Sequence, residues 1–276
     1  MELQVNQRTV YAYTGGKAFR ADQPTVVFVH GVLNDHSVWI LQSRYLANHG
    51  WNVLAVDLPG HMRSQGPCPR SVQEAADWLA AVLDAAGLAQ AAVVGHSWGS
   101  LIGLETAARH PLRVSHLAMV GTAYPMKVSD VLLRDSVDNP EAAIHLINVF
   151  SRSTLCAPPS ALGPGTWVFG ANRALNRRVM RANPHEPVFH LGFKACNDYA
   201  NGLQAMAKVT CPVLFIHGEQ DQMTPPRAAK ELVQTAKAHA PAVSEVTVPC
   251  GHHQMNESPR ETLHALCDLL GTRPRS

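Results

Sequence analysis

A serine stands between two glycines at Gly95-His96-Ser97-Trp98-Gly99, which fits the pattern G-x-S-x-G. An apolar, strand-like run ends at Gly95, and a helix-like run begins at Trp98. A sharp strand-to-helix turn strains its central residue and requires small flanking residues, because side chains there would collide with the neighbouring strand and helix. The pattern therefore predicts a turn that exposes the Ser97 hydroxyl as a nucleophile. The alternative is an ordinary serine that only caps the helix.

A serine hydroxyl is a weak nucleophile at neutral pH and needs a base, which in turn needs an orienting acid. Both residue types follow late in the chain. Asp221 comes after the apolar run Pro212–His217, and His252 comes after Glu245–Val248. If both runs are parallel strands, these side chains emerge at the same sheet edge as Ser97. The order Ser, Asp, His is the one expected for such an architecture.

Nucleophilic attack on a carbonyl also needs donors for the developing oxyanion. The amide of Trp98, directly after the nucleophile, is one candidate donor. The second is the amide of Val32, in the loop "HGVLNDH" that follows a strand-like run ending at His30. Gly31 allows the backbone of this loop to approach the substrate closely.

The elements that position these residues alternate along the chain. Short, continuous apolar runs, typical of strands covered on both faces, are separated by longer segments with helical periodicity. This alternation predicts an α/β fold, a doubly wound and mostly parallel sheet with helices on both faces. The N-terminal runs Leu3–Val5 and Arg8–Tyr13 predict a hairpin at the sheet edge. The predicted inner strands are Thr25–His30, Asn52–Asp57, Ala91–Gly95, Leu117–Gly121, Pro212–His217 and Glu245–Val248.

One long segment interrupts this alternation. Residues 122–210 contain no convincing strand, and a single crossover needs far fewer residues. The segment contains helical pieces and a cluster of helix breakers at Cys156–Gly165. We interpret it as a helical cap inserted into a core made of residues 1–121 and 211–276. The predicted cap helices are Ala142–Phe150, Ala171–Arg181 and Leu191–Lys208.

Composition and charge exclude several classes of protein. A formal net charge of +2, without any lysine- and arginine-rich run, does not favour nucleic-acid binding. The N-terminus lacks the pattern of a secretory signal, and no apolar run is long enough to span a bilayer, so we expect a cytoplasmic protein without a membrane partner. The six cysteines are scattered without a CxxC pair, and no histidine pair coincides with a carboxylate cluster, so we expect no metal.

Taken together, these motifs resemble the α/β-hydrolase superfamily, in its capped serine esterase-like branch. The resemblance covers nearly the whole core. It implies an eight-stranded sheet, a Ser97–Asp221–His252 triad, an oxyanion hole at Val32 and Trp98, and a cap over the substrate. It implies neither a metal nor an organic cofactor. The motifs that carry it are "HG" at 30–31, "DLPGHMRS" at 57–64, the serine turn, "HGEQDQMTP" at 217–225 and "GHHQMNESP" at 251–259.

Two neighbouring histidines could each be the base. The spacing G-H-x-x-x-x-E-x-P to Glu257 and Pro259 favours His252 over His253. One departure from the family pattern is Met62, where a second glycine is usual. Three further histidines are interpreted as structural residues satisfied by local hydrogen bonds: His30, His61 and His96.

The substrate pocket is the least defined part of the sequence. Gly31 adjoins it, while Met126 and the cap residues Trp167 and Phe169 could line it or equally form the cap core. The leading interpretation is hydrolysis of a small carboxylic ester through an acyl-enzyme. The alternatives are a carbon–carbon bond hydrolase of aromatic ring-cleavage products, a cofactor-free perhydrolase or haloperoxidase, and a ligand receptor with vestigial hydrolysis. The oligomeric state, monomer or homodimer, stays open.

Overall fold

A computed structural model describes residues 1–20, 22–152 and 168–272. Its eight strands form one sheet in the order β1-β2-β4-β3-β5-β6-β7-β8. The first two strands pair as an antiparallel hairpin, β2 joins β4 in antiparallel orientation, and all other neighbours are parallel. The predicted sheet and its edge hairpin are confirmed. The strands are β1 (Glu2–Val5), β2 (Arg8–Tyr13), β3 (Thr25–Val29), β4 (Asn52–Val56), β5 (Ala91–His96), β6 (Val114–Val120), β7 (Val213–Gly218) and β8 (Val243–Val248).

The central strands are apolar because both of their faces are covered. Every residue of β3, β4, β5 and β7 is buried. The last strand, β8, lies at the sheet edge and keeps most of its residues at least partly exposed. This explains why its apolar run is shorter in the sequence than the strand itself, which begins at Val243 rather than Glu245.

Helices cover both faces of the sheet, and each face has its own apolar cluster. Leu79 of α2 (Val72–Ala85), Leu101 of α3 (Trp98–Arg109) and Leu232 of α9 (Lys230–His239) belong to the larger cluster. The opposite cluster contains Leu46 of α1 (Ile40–Ala47) and Leu266 of α11 (Pro259–Leu269). These two layers hold the sheet rigid, so the loops at its carboxyl edge start from fixed positions.

The described residues between β6 and β7 form five helices, in the segment predicted to be the cap. The breaker cluster Cys156–Gly165 lies outside the described residues. The division of the chain into core and cap stays a prediction, although no strand lies among the described residues of this segment. The helices are α4 (Asp130–Asp138), α5 (Pro140–Ser151), α6 (Val168–Ala182), α7 (Val188–Asp198) and α8 (Gly202–Met206).

The prediction of one continuous helix over Leu191–Lys208 is wrong. The chain leaves the helix at Tyr199, whose backbone is extended, and α8 begins only at Gly202. The break is held by the buried carboxylate of Glu105 on α3. It accepts hydrogen bonds from the Tyr199 hydroxyl at 2.6 Å and from the Asn201 side chain at 3.2 Å. A long-range contact of this kind leaves no periodic signal in the local sequence.

Two further observations concern membrane-spanning helices and cysteines among the described residues. Among the helices of the described ranges, none is both long and apolar enough to cross a membrane. The described cysteines are buried and unpaired: Cys68, Cys196, Cys211, Cys250 and Cys267.

Candidate active site

Ser97 occupies a strained turn between β5 and α3. Its φ of 53° lies in the left-handed region that residues with a side chain avoid. A Cβ on Gly95 would overlap the carbonyl oxygen of Gly99, and a Cβ on Gly99 would overlap the carbonyl oxygen of Val29. Both flanking positions therefore require glycine, which is the physical reason for the sequence pattern around this serine.

Asp221 and His252 lie at the same edge of the sheet as Ser97. Asp221 follows β7 and His252 follows β8, and both strands run parallel to β5. The Nδ1 atom of His252 lies 2.8 Å from Oδ2 of Asp221, and both residues are buried. Ser97 and His252 line one cavity. The fold thus brings together three residues that are far apart in the sequence.

The Asp221 carboxylate is fixed by several donors besides His252. Its Oδ1 accepts the backbone N–H groups of Met223 and Thr224, both at 2.8 Å. Its Oδ2 accepts the Thr224 hydroxyl at 2.7 Å and Nε2 of Gln254 at 3.3 Å. Burial alone would raise the pKa of Asp221, but the charge of a protonated His252 and these hydrogen bonds outweigh it and lower the pKa to about 2. The group is therefore an anion at neutral pH.

The backbone of His252 is held from two sides. Its N–H donates to the carbonyl oxygen of Ser151 at the end of α5, at 2.7 Å. Its carbonyl oxygen lies 2.8 Å from Nε2 of His96, the residue directly before Ser97. His253 points elsewhere: Glu257 accepts its backbone N–H at 3.2 Å, and its ring is buried without a carboxylate partner among the described residues. The structure thus places His252, and not His253, against Asp221.

The predicted oxyanion loop lies against the serine turn. A Cβ on Gly31 would lie 2.9 Å from Nδ1 of His96 and 3.1 Å from the Ser97 Cβ, so a larger residue would have to displace these side chains. Val32 lines the same cavity as Ser97, and Leu33 has a φ of 57°. The helix α6 reaches this loop directly, because Nδ2 of its Asn176 donates to the Leu33 carbonyl oxygen at 2.9 Å.

A chain of buried amides extends from this contact into the cap. Nδ2 of Asn148 donates to Oδ1 of Asn176 at 2.9 Å, and Nδ2 of Asn172 donates to Oδ1 of Asn148 at 2.7 Å. All three side chains are buried. A buried amide is costly unless it is paired. These hydrogen-bonded amides therefore fix α5 and α6 relative to the loop after β3.

The cavity beside Ser97 and His252 has a volume of about 240 Å³ and a mostly apolar lining. Met126 lies in its wall, as predicted for a pocket residue. Phe169 is not among the described residues that line it, and its ring lies 6.2 Å from that of His145. Trp167 lies outside the described residues. The Trp98 indole is buried and packs against the cap at Gly192. The apolar wall is formed by Val32, Met126, Val128, Leu132, Leu146, Phe150, Phe193 and Met223.

One group of residues has the donor types of a metal site. Ligand atoms of Asp35, His36 and Asp57 lie within 4.8 Å of one another. Their atoms already have partners, however. Oδ1 of Asp57 accepts the backbone N–H of His36 at 2.9 Å and lies 2.8 Å from its Nδ1, and Oδ2 of Asp35 pairs with Arg178 of α6 at 2.6 Å. We assign this group to the contact between the loop after β3 and the helix α6.

Several of these residues carry signals that the sequence interpretation missed. Thr224 stands three residues after Asp221, a spacing at which a side chain can bond back to a loop carboxylate. Asn172 and Asn176 are four residues apart on an amphipathic helix, so they share one face. The contact of His96 with the His252 backbone spans 156 residues and has no local signal.

Buried histidines make the stability of this fold depend on pH. Burial, the largest cause, lowers the pKa of His61 and of His96 to about 3, from an ordinary value of 6.5. The unfolded chain therefore binds protons below pH 6.5 that the folded chain rejects, and stability falls as the pH drops from 6.5 towards 3. Each histidine contributes on the order of 1 kcal/mol per pH unit to the free energy of unfolding in this window.

We expect urea unfolding at pH 7.5, 6.5, 5.5 and 4.5 to show this loss, and His61→Gln to reduce the slope by on the order of 1 kcal/mol per pH unit. The matched control is His239→Gln, which changes an exposed histidine on α9 and leaves the slope in place. If the free energy of unfolding depends on pH equally in wild type and His61→Gln, buried His61 does not cause the loss of stability.

The comparisons with known proteins agree with this architecture. Residues 24–157 match the model of the alpha/beta hydrolase fold family. A pimeloyl-[acyl-carrier protein] methyl ester esterase of Neisseria meningitidis serogroup B is 30% identical over 246 residues, which cover 79% of this chain and 87% of the relative. RutD of Klebsiella pneumoniae, named for carbamate hydrolysis, is 26% identical and covers 90% and 91% of the two chains. The structure of an esterase from Exiguobacterium antarcticum has a TM-score of 0.80 at 18% identity, over 98% of this chain and 99% of the other. The chain therefore belongs to the α/β-hydrolase family.

Proposed function

We propose that this α/β-hydrolase is a serine hydrolase that cleaves small carboxylic esters through an acyl-enzyme. The observation that carries the proposal is the buried Asp221–His252 pair, at 2.8 Å, opening on the cavity that Ser97 also lines. A nucleophile, a base and an orienting acid at one sheet edge are the parts that acyl transfer requires.

In the first half-reaction, the Ser97 hydroxyl attacks the ester carbonyl while Nε2 of His252 accepts its proton. Asp221 holds the Nδ1 proton of the imidazole and offsets the positive charge that forms. The tetrahedral oxyanion is bound by the amides of Val32 and Trp98. Each such donor contributes about 3 kcal/mol of transition-state stabilisation. The alcohol then leaves with the proton from His252, and Ser97 remains acylated.

The second half-reaction regenerates the enzyme with water as the nucleophile and His252 again as the base. The apolar cavity favours an uncharged hydrocarbon portion of the substrate. The helices between β6 and β7 provide much of its wall, through Met126, Leu132, Leu146 and Phe193, in keeping with a cap that closes over the substrate. The two relatives are named for reactions in which an acyl or carbamoyl group is transferred to water, which supports the same class of chemistry here.

A substrate panel tests this proposal. We expect p-nitrophenyl esters with acyl chains of two to eight carbons to be turned over, with a preference that reflects the apolar cavity. A dienone-type carbon–carbon substrate in the same panel is expected to react more slowly. A clear preference for the carbon–carbon substrate would show that the enzyme is a carbon–carbon bond hydrolase and not an esterase. A stoichiometric complex without turnover of any substrate would instead indicate a ligand receptor.

A further inference from the structure

A second, smaller cavity adjoins the apolar one behind the reacting groups. It has a volume of about 30 Å³ and shares part of its wall with the larger cavity, at Val32, Ser97, Phe193, Met223 and His252. The rest of its wall is mostly polar and includes Asn34, Ser151, Asn172, Asn176, His96 and His253. We call this cavity the polar chamber. It lies where a small polar molecule would be next to both Ser97 and His252.

Three side chains of the polar chamber have a buried polar atom that no other described residue pairs with. Within residues 1–20, 22–152 and 168–272, no hydrogen-bond partner exists for Oδ1 of Asn34, Nδ1 of His96 or Nδ1 of His253. These residues are only 3%, 1% and 4% exposed. Buried polar atoms are costly without a partner, and native proteins commonly satisfy such groups with an ordered water molecule. Three of them around one cavity point to a bound polar ligand.

The charge of the chamber wall decides which ligand fits. Nε2 of His96 donates to the His252 carbonyl oxygen, which leaves Nδ1 with a lone pair that can only accept. Burial, as the largest cause, lowers the pKa of His96 to about 3 and that of His253 well below its usual value, so both rings are neutral. A wall of neutral amide and imidazole groups neither attracts an anion nor offers the carboxylates that a cation needs.

The volume of the chamber also favours a small neutral ligand. A cavity of this volume has room for roughly one or two water molecules and excludes larger ligands. Water can donate to acceptors such as Asn34 Oδ1 and His96 Nδ1 while presenting a lone pair elsewhere.

We propose that the polar chamber binds the water molecule that hydrolyses the acyl-enzyme, held there by Asn34, His96 and His253. This rests on the proposed serine-hydrolase function and adds a site for its second substrate. The water oxygen bonds to the acyl carbonyl carbon as Nε2 of His252 takes one of its protons. The tetrahedral intermediate then breaks its bond to Ser97 Oγ, which receives that proton from His252, and the carboxylic acid leaves.

Asn34 offers the sharpest test, because it lines the chamber, its buried Oδ1 has no partner among the described residues, and its backbone also holds the loop. Its N–H donates to the Gly31 carbonyl oxygen at 3.3 Å, and this bond survives any non-proline substitution. Asn34→Leu keeps the branched shape of the side chain but is larger and presents no polar atom, so it removes both the hydrogen-bond acceptor and space for water. Asn34→Ser keeps a hydroxyl and leaves room for water. The two variants compare a wall that cannot hold a water molecule with one that can.

We would follow p-nitrophenyl butyrate hydrolysis by stopped flow, to resolve the acylation burst from the later steady state, and measure the accumulated acyl-enzyme by intact-protein mass. In Asn34→Leu we expect a burst rate within about 3-fold of wild type, a deacylation rate lowered by about 10–100-fold, and an acyl adduct on most molecules. In Asn34→Ser we expect deacylation within about 5-fold of wild type.

Three results would overturn the proposal. If wild type neither turns over the ester nor forms an acyl adduct, the serine-hydrolase function fails and the water site fails with it. If wild type shows the burst but deacylation in Asn34→Leu is unchanged, only the water site is refuted. If Asn34→Leu slows acylation and deacylation equally, Asn34 acts through the oxyanion loop rather than on water.

Discussion

Ser97→Ala is expected to lower the turnover of p-nitrophenyl butyrate by about 10⁵–10⁶-fold and to abolish the acylation burst, because no other nucleophile replaces the serine in such a site. Fold and substrate binding should persist. The substitution removes one oxygen, and alanine meets the same φ of 53° that serine already tolerates. The measurements are steady-state turnover, burst amplitude and intact-protein mass after exposure to the ester.

The matched control is Ser115→Ala. Ser115 lies near the start of β6, at the amino end of the strand and away from the edge that carries Ser97. We expect wild-type turnover and a full burst from this variant. A burst that survives in Ser97→Ala would show that another residue is acylated and would overturn the assignment of the nucleophile.

Much of the core could be predicted from the sequence because burial on two faces leaves a local signal. A strand such as β3 is buried at every position and apolar at all but Thr25, so its place in a covered sheet follows from a short run of residues. The serine turn is predictable for a similar reason. Only glycine fits at positions 95 and 99, since a Cβ at either position would meet backbone atoms.

The loop after β4 shows how a departure from a family pattern can be accommodated. Met62 stands where the family usually has glycine, and its φ of 42° lies in the left-handed region. The conformation that favours glycine is therefore retained with a side chain present. Asn183 of the cap donates to the carbonyl oxygens of Gly60 and Met62, at 2.9 and 3.3 Å, and helps to hold the turn.

The cap contacts could not be predicted from periodicity. The break between α7 and α8 depends on Glu105, almost a hundred residues earlier in the chain. Likewise, the backbone of His252 is held by Ser151 of α5, and the oxyanion loop by Asn176 of α6. These are single polar contacts between distant segments, and an apolar pattern within either segment does not encode them. Their common effect is to tie the candidate site to the helices between β6 and β7.

The second large effect is expected at Asp221, through the tautomer of His252. In an Asp221→Asn variant, the amide oxygen must keep the place of Oδ1, because two backbone N–H groups, of Met223 and Thr224, point at it. The amide NH₂ group then takes the place of Oδ2, facing Nδ1 of His252. Two donors cannot share a hydrogen bond, so Nδ1 must become the acceptor and the ring proton moves to Nε2.

With a proton on Nε2, His252 can no longer accept the one from Ser97. We therefore expect Asp221→Asn to lower kcat by about 10⁴-fold with little change in KM, since the geometry persists while the base is lost. The control is Asp198→Asn, which neutralises an exposed carboxylate paired with Lys194 and should keep wild-type kinetics. If kcat of a folded Asp221→Asn variant decreases by less than about 10-fold, this carboxylate does not set the tautomer of the base. The expected size exceeds what the loss of one surface charge could cause, because the whole effect passes through the one nitrogen that must accept the serine proton.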